Sequence, residues 1–203
     1  MIEIPTDIPA DLVPLAWLVG VWEGTGVIDY RAGETHYEGE FSHRVSFSHD
    51  GGPFLSYSAT ATLLEADERP AQQLTSESGY WRIARPAHAA APGPGLLPAL
   101  AAEPERTAED VERLRVSADG GFPVEVALSH SDGVQELYVG EVNGPRIDLG
   151  TDAVVRSAGA KAYASATRLY GLVDGHLLWA WDIAALGQSL ASHASARLAK
   201  VSS

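Results

Sequence analysis

One histidine, His193, stands among small and apolar residues near the end of the chain, where an imidazole has few polar partners. Its segment reads Gln188-Ser189-Leu190-Ala191-Ser192-His193-Ala194-Ser195-Ala196-Arg197-Leu198 and is predicted to be a strand. A cofactor metal would supply the missing partner. The chain contains no Cys and its only Met is Met1, so two common protein ligands of haem iron are absent, while His and Tyr remain. A core histidine with an ordinary hydrogen bond explains the pattern equally simply, and both explanations stay open.

The composition limits what kind of molecule could carry such a site. With 203 residues, 45% of them apolar, the chain predicts one domain over residues 1–203. A net charge of −13 argues against nucleic acid or anionic lipid as a partner. The longest apolar run, Leu12 to Trp22, contains Pro14 and Gly20 and is too short to cross a membrane. Without Cys or a basic leader segment, a cytoplasmic location is expected.

Alternation of apolar and polar residues with a period of two predicts β-strands along most of the chain. In Phe41 to Phe47 every second residue is apolar or His, and Pro53 to Leu64 repeats the pattern after the turn Asp50-Gly51-Gly52, which predicts a hairpin. Six further strands are predicted at Tyr80–Ile83, Val124–Ser129, Gln135–Gly140, Ile147–Gly150, Lys161–Val173 and Leu177–Ile183. Many short strands joined by tight turns predict an all-β fold, an antiparallel barrel of roughly eight to ten strands that encloses one ligand, as in lipocalins.

Two segments depart from the strand pattern. Pro9 to Leu18 predicts a short helix or 3₁₀ turn whose apolar side plugs one end of the barrel. Residues 84–121 are predicted to be a long insertion between two strands. The first part of this insertion is rich in Ala, Pro and Gly, and its second part, from Thr107 to Leu114, predicts a helix with Thr107 as N-cap.

Five motifs follow one another along the chain. The first is Gly20-Val21-Trp22-Glu23-Gly24-Thr25-Gly26, which fits the pattern G-x-W-x-G-x-G. The others are Phe47-Ser48-His49-Asp50-Gly51-Gly52-Pro53-Phe54-Leu55-Ser56-Tyr57, Glu77-Ser78-Gly79-Tyr80-Trp81-Arg82, Arg168-Leu169-Tyr170-Gly171, and Ala184-Ala185-Leu186-Gly187-Gln188-Ser189-Leu190 leading into the His193 segment. Together they resemble the motifs of the nitrobindin family, small haem-binding β-barrels with an architecture like that of fatty-acid-binding proteins. The resemblance covers most of the chain outside the insertion and is closer to a longer bacterial branch of the family.

The resemblance implies a cofactor and an activity. In the family, the histidine of the closing strand is the proximal ligand of a ferric haem b, and His193 occupies that position. Lys161 matches a family lysine that contacts the haem, where its ammonium would pair with a propionate. The activity implied is isomerisation of peroxynitrite to nitrate, with reversible binding of nitric oxide. The expected partners are therefore small molecules, and homodimerisation is left open.

Some residues depart from the family pattern on the far side of the haem. Tyr30 is followed by Arg31-Ala32-Gly33 in place of a Y-P-T segment, and Ile183 replaces a Met in the closing strand. These departures keep a second hypothesis open, in which the barrel carries a fatty acid or another apolar small molecule without haem. A third is a family member that keeps the fold and binds haem weakly. His193 separates the hypotheses, because a carrier has no need of it.

The remaining candidates receive structural interpretations. His43 is expected to be a core histidine, or a surface one after a register slip, rather than a second ligand. No pair of histidines has the spacing of a zinc site. Trp22 is expected to pack the closed end of the barrel. Gly24 and Gly26 lack the third glycine and the βαβ context of a phosphate-binding loop.

Overall fold

The computed structural model describes residues 8–32, 34–65, 71–85, 96–97, 106–185 and 187–201. Ten strands make up most of it: β1 Gly20–Ala32, β2 Thr35–Ser48, β3 Leu55–Leu63, β4 Gln72–Ile83, β5 Phe122–His130, β6 Val134–Asn143, β7 Arg146–Arg156, β8 Tyr163–Val173, β9 His176–Ala185 and β10 Ala191–Lys200. A 3₁₀ helix, Ala10–Leu18, precedes them, and one short helix, α1 Ala108–Glu112, lies between β4 and β5. None of the helices in the described ranges has the length and hydropathy that a membrane crossing requires.

The ten strands form one closed antiparallel barrel. Each strand pairs with its neighbours in chain order, and β1 pairs with β10 to complete the ring. The prediction of a closed antiparallel barrel of eight to ten strands is confirmed. Closure gives each strand a neighbour on both sides, although β7 and β8 pair only between Arg146–Gly150 and Thr167–Gly171.

The alternation that predicted the strands also fixes which residues face the interior. In β3, Leu55, Tyr57 and Leu63 are buried while Ser56 and Ser58 between them are exposed. The predicted hairpin corresponds to β2 and β3, and the predicted strand from Tyr80 is the last third of a longer β4. The strand β1 was not among the strands predicted from alternation, because its inward positions include Gly24 and Gly26, which carry no apolar side chain.

The N-terminal 3₁₀ helix closes one end of the barrel, as predicted. Leu12, Leu15 and Leu18 are fully buried and belong to the same apolar cluster as the buried residues of the strands. The indole Nε1 of Trp22 donates to the carbonyl oxygen of Leu18 at 2.7 Å, which ties the helix to β1. Trp22 therefore packs the closed end, as its sequence context indicated.

Because successive strands run in opposite directions, the connections between them lie alternately at the two ends of the barrel. The helix end carries the 3₁₀ helix and the connection from β4 to β5, whose described part includes α1. Arg106 lies 3.2 Å from Asp11 of the 3₁₀ helix, and the capping box at Thr107 is present as predicted. Residues 86–95 and 98–105 of the predicted insertion lie outside the described residues. The opposite end, which carries the β5–β6, β7–β8 and β9–β10 connections, is called the cavity end below.

The glycines of the first motif allow two strands to approach closely. A Cβ atom on Gly24 would lie 2.2 Å from the carbonyl oxygen of Arg197 in β10, and one on Gly26 would lie 2.5 Å from the ring of Phe41. Real Cβ atoms do not approach other atoms so closely, so β1 accepts only glycine at these positions. The motif thus allows β1 and β10 to pair closely and close the barrel. Its glycines lie nearer the helix end than His193 does.

We expect Gly24→Ala to destabilise the barrel by about 1–3 kcal/mol, because the added methyl group overpacks the β1–β10 contact. Gly150→Ala is the matched control, since a Cβ on this strand glycine meets no atom within 4 Å. The control should be neutral or slightly stabilising, because alanine restricts the unfolded chain. Urea denaturation of both variants measures the difference, and equal midpoints would contradict this role for Gly24.

Candidate functional site

His193 lies at a β-bulge in the closing strand. In the pairing of β10 with β9, Ser192 faces Asp182 and Ala194 faces Trp181, so His193 is the extra residue between two consecutive pairs. Ala194, Ala196 and Leu198 pack towards the interior, and strict alternation would turn His193 outwards. A bulge re-aims the side chain of its extra residue. It brings this imidazole into contact with inward-facing side chains.

Two aromatic rings hold the imidazole. The ring of Tyr30 on β1 stacks on that of His193, with 3.9 Å between centroids and 28° between planes. The ring of Trp181 on β9 meets it edge-on, at 5.5 Å and 76°. Since both rings come from rigid barrel strands, the orientation of His193 is fixed by packing.

The electrostatics of His193 suit a ligand. Among the described residues, no hydrogen bond engages either ring nitrogen. Burial lowers the pKa of His193 to about 4, so the imidazole is neutral at pH 7 and keeps a lone pair available. A neutral, half-buried imidazole with a free ring nitrogen can act as an axial metal ligand. The acceptor that usually orients the second ring nitrogen of such a ligand is not among the described residues, and the two aromatic rings take over that orienting role.

A cavity of about 300 Å³ opens beside His193 at the cavity end of the barrel. Its wall is formed by residues of β1, β9, β10 and the connection between β9 and β10, namely Tyr30, Arg31, Ile183, Ala185, Gln188, Ser189, Ala191, Ser192 and His193. The wall combines apolar side chains with one cation, Arg31. The space can therefore accept an apolar body that carries an anionic group.

The structure places the predicted site residues in two groups. Lys161 is exposed in the β7–β8 connection, at the same end of the barrel as His193. Gly20, Trp22, Gly24 and Gly26 lie on the half of β1 nearer the helix end and do not line the cavity. Arg31 was not predicted to be a site residue. It directly follows Tyr30 in the chain and lines the cavity beside it.

A buried cluster of charged side chains fills the barrel interior near Trp181. The two terminal guanidinium nitrogens of Arg168 donate to Glu77, at 2.7 and 2.8 Å, and one of them also donates to Glu136 at 3.2 Å. His130 lies 2.6 Å from Glu136 and 3.4 Å from Glu77. We call Glu77, Glu136, His130 and Arg168 the buried carboxylate cluster. Its hydroxyl donors are Tyr57, Tyr138 and Tyr163.

The cluster holds its charges by mutual compensation. Burial raises the pKa of Glu77, but the charge and hydrogen bonds of Arg168 outweigh burial, and with His130 and Tyr57 they lower this pKa to about 2. Burial lowers the pKa of His130, but its bond to Glu136 and the charge of Glu77 outweigh this and raise the pKa overall. Both carboxylates are therefore ionised at pH 7, and Arg168 neutralises one of them.

The same cluster has the side-chain types of a metal site. One ligand atom each from Glu77, His130 and Glu136 lie within 4.8 Å of one another. However, both oxygens of Glu77 already accept from Arg168, and this buried guanidinium would repel a cation at the same point. We therefore assign the cluster to a structural ion-pair network.

Trp181 separates this network from His193. Its ring lies 4.8 Å from the guanidinium carbon of Arg168 and is nearly parallel to the ring of His130. Nothing in the sequence around Trp181 indicates its contact with His193, because that contact joins two paired strands. His43 is a core histidine as expected, with its Nδ1 3.0 Å from the carbonyl oxygen of Thr60.

Comparison with known proteins agrees with this geometry. Residues 11–200 match the model of the THAP4-like, heme-binding beta-barrel domain. The chain belongs to the nitrobindin family. Among nitrobindin relatives, a protein of Leifsonia xyli subsp. xyli named peroxynitrite isomerase is 63% identical over 98% of this chain and 99% of its own. A protein of the same name from Clavibacter michiganensis subsp. michiganensis is 59% identical over 99% of this chain and 100% of its own.

A solved structure of the same architecture extends the comparison. The crystal structure of Rv2717c from M. tuberculosis superposes on this nitrobindin with a TM-score of 0.67 and 26% identity. The alignment covers 98% of this chain and all of that one. The family assignment predicted from the five motifs is confirmed, and with it a haem-binding barrel domain.

Proposed function

We propose that this nitrobindin binds ferric haem b through His193 and isomerises peroxynitrite to nitrate. The single observation that carries the proposal is the imidazole of His193, which is neutral, faces the cavity and has no hydrogen-bond partner among the described residues. The names of the two relatives with 63% and 59% identity support the activity.

The residues around the cavity fit the cofactor in kind. His193 supplies the axial nitrogen, and the rings of Tyr30 and Trp181 keep the imidazole in place without an orienting hydrogen bond. Ile183, Ala185 and Ala191 offer apolar wall to a porphyrin. Arg31 at the cavity wall and Lys161 at the same end supply the cations for two propionates.

The protein contributes ligation, enclosure and charge to the reaction. When bound, a ferric haem supplies a Lewis acid for the peroxide oxygen of the anion. His193 would hold the haem through one imidazole nitrogen, and no other histidine lies among the described residues that line the cavity. The apolar part of the wall would limit the access of water and hinder the escape of reactive species from the cavity. Arg31 partly offsets the net charge of −13, which would otherwise oppose entry of an anion.

Three further points belong to the same proposal. The haem-loaded protein would also bind nitric oxide reversibly. Residues 1–203 form one domain, which is supported by the spread of the barrel strands from Gly20 to Lys200. The protein acts in the cytoplasm, which is supported by the absence of Cys from the sequence.

The test is to load the purified protein with haemin and to follow peroxynitrite decay by stopped-flow absorbance, with nitrate and nitrite quantified afterwards. We expect a Soret band, a decay rate proportional to the concentration of loaded protein, and a higher fraction of nitrate than in buffer. In the presence of the apoprotein, peroxynitrite should decay no faster than it does in buffer alone. A protein that binds fatty acid but gives no Soret band would be a carrier, and the proposal would be wrong.

A further inference from the structure

Two tyrosines form a stack that begins on His193 and ends at the surface. Tyr30 and Tyr37 are direct cross-strand partners in the β1–β2 hairpin, and their rings lie 4.9 Å apart with 12° between planes. The other face of Tyr30 lies against His193 at 3.9 Å. Tyr30 is half-buried and lines the cavity, whereas Tyr37 is 43% exposed.

The other tyrosines are placed differently. Tyr57, Tyr138 and Tyr163 donate their hydroxyls to the buried carboxylates, and Tyr170 is fully buried. Tyr80, on the outer face of β4, is the most exposed tyrosine of the described chain, at 58%. Exposure alone therefore ranks Tyr80 first and Tyr37 second, both ahead of Tyr30, as targets of a reagent in solution.

The proposed reaction produces a reagent that does not come from solution. If the two halves of peroxynitrite fail to recombine, nitrogen dioxide is set free inside the cavity and the other half keeps one oxidising equivalent. A phenol that touches the axial imidazole is well placed to give up an electron and its hydroxyl proton to that half. The resulting phenoxyl radical combines with nitrogen dioxide at the carbon beside the oxygen, and the ring hydrogen leaves as a proton. The sum is balanced: one tyrosine and one peroxynitrous acid give one nitrotyrosine and one water.

We propose that Tyr30 is the preferred nitration site of the haem-loaded protein. The inference rests on the proposed function, because both the nitrogen dioxide and the oxidising equivalent come from that reaction. The stacking contact with His193 gives Tyr30 a short path for losing an electron to the reacting centre, which Tyr80 lacks, and Tyr30 lines the same cavity as His193. Each nitration of Tyr30 corresponds to one peroxynitrite whose halves did not recombine to nitrate, so the yield of nitrated Tyr30 measures how often recombination fails.

The test is a map of nitrotyrosine by peptide mass spectrometry, after wild-type protein with and without haem has been treated with several equivalents of peroxynitrite. With haem, we expect nitration of Tyr30 to exceed that of Tyr80 by about tenfold, as proximity to the reacting centre outweighs exposure. Without haem, the order should follow exposure, with Tyr80 first. His193→Ala treated with the same haemin should give the order of the apoprotein.

Two outcomes would overturn the inference, and they are distinguishable. A loaded protein with a normal Soret band and normal nitrate yield, but with Tyr80 or Tyr37 nitrated before Tyr30, would overturn this inference alone. Preferential nitration of Tyr30 in the apoprotein would do the same, because the preference would not depend on haem. A protein without a Soret band would overturn the proposed function and this inference together.

Discussion

His193→Ala is expected to lose the Soret band that haemin produces with the wild-type protein, and to lose peroxynitrite isomerisation with it. Among the described residues that line the cavity, His193 carries the only imidazole, so no second histidine there can replace it. Loss of residues that merely orient a metal ligand weakens binding 10- to 100-fold, so loss of the ligand should weaken haem binding by at least about 100-fold. Spectrophotometric titration with haemin measures the change.

A surface histidine provides the matched control. His36 lies on β2 at the same end of the barrel, is exposed, and bonds to Asp29 at 2.8 Å. His36→Ala should leave the Soret band and its haemin affinity unchanged. Adding imidazole to His193→Gly should restore part of the band, since the added imidazole can occupy the space of the lost side chain. A His193→Ala protein with the wild-type spectrum and affinity would rule out this residue as the axial ligand.

The barrel could be predicted because the pattern that specifies it, alternation of apolar and polar residues, is visible within each strand. Alternation in β2 and β3 defines both the strands and their inner faces, and the tight turns between the later strands leave antiparallel pairing as the simplest arrangement. The 3₁₀ plug was predictable for a similar reason, since Leu12, Leu15 and Leu18 follow one another at helical spacing.

The site was less predictable, because its geometry depends on an irregularity and on distant partners. Alternation along β10 turns His193 outwards, and only the bulge opposite Asp182 and Trp181 reverses this. A bulge is a property of two paired strands and leaves no clear mark on one of them. The resemblance to the nitrobindin family pointed to His193 without explaining how the side chain reaches the interior.

The buried carboxylate cluster shows a second limit of pattern analysis. In β6 the inner face carries Val134, Glu136 and Tyr138, whereas Leu137 and Val139 are 39% and 45% exposed. Hydrophobicity alone would choose the opposite face for the second half of this strand. The charge of Glu136 is buried because Arg168 and His130, 32 and 6 residues away in sequence, compensate it.

Arg168→Met is expected to be the most destabilising single substitution in the barrel interior. Methionine fills similar volume, but it leaves Glu77 and Glu136 buried without their common cation. Removing one partner of a buried ion pair typically destabilises a protein by about 3–5 kcal/mol, a large part of the stability of a single domain. Chemical denaturation of the apoprotein measures the loss directly. Arg82→Met is the control, because the Arg82–Glu125 pair lies on the surface and should contribute at most about 1 kcal/mol.

The pH dependence of this variant identifies the cause of its instability. In the wild type, the pKa of Glu77 falls from 4.5 in the unfolded chain to about 2, so its pairing stabilises the fold above pH 4.5 and that contribution is lost as the pH falls towards 2. Without Arg168, burial raises the pKa of Glu77. Acid should therefore reduce the destabilisation of the variant by protonating Glu77 and removing its buried charge. The stability difference between wild type and Arg168→Met should therefore shrink below pH 4.5, and the double variant with Glu77→Gln should recover part of the loss at pH 7. A difference that stays constant from pH 7 to pH 3 would indicate lost packing instead of an uncompensated charge.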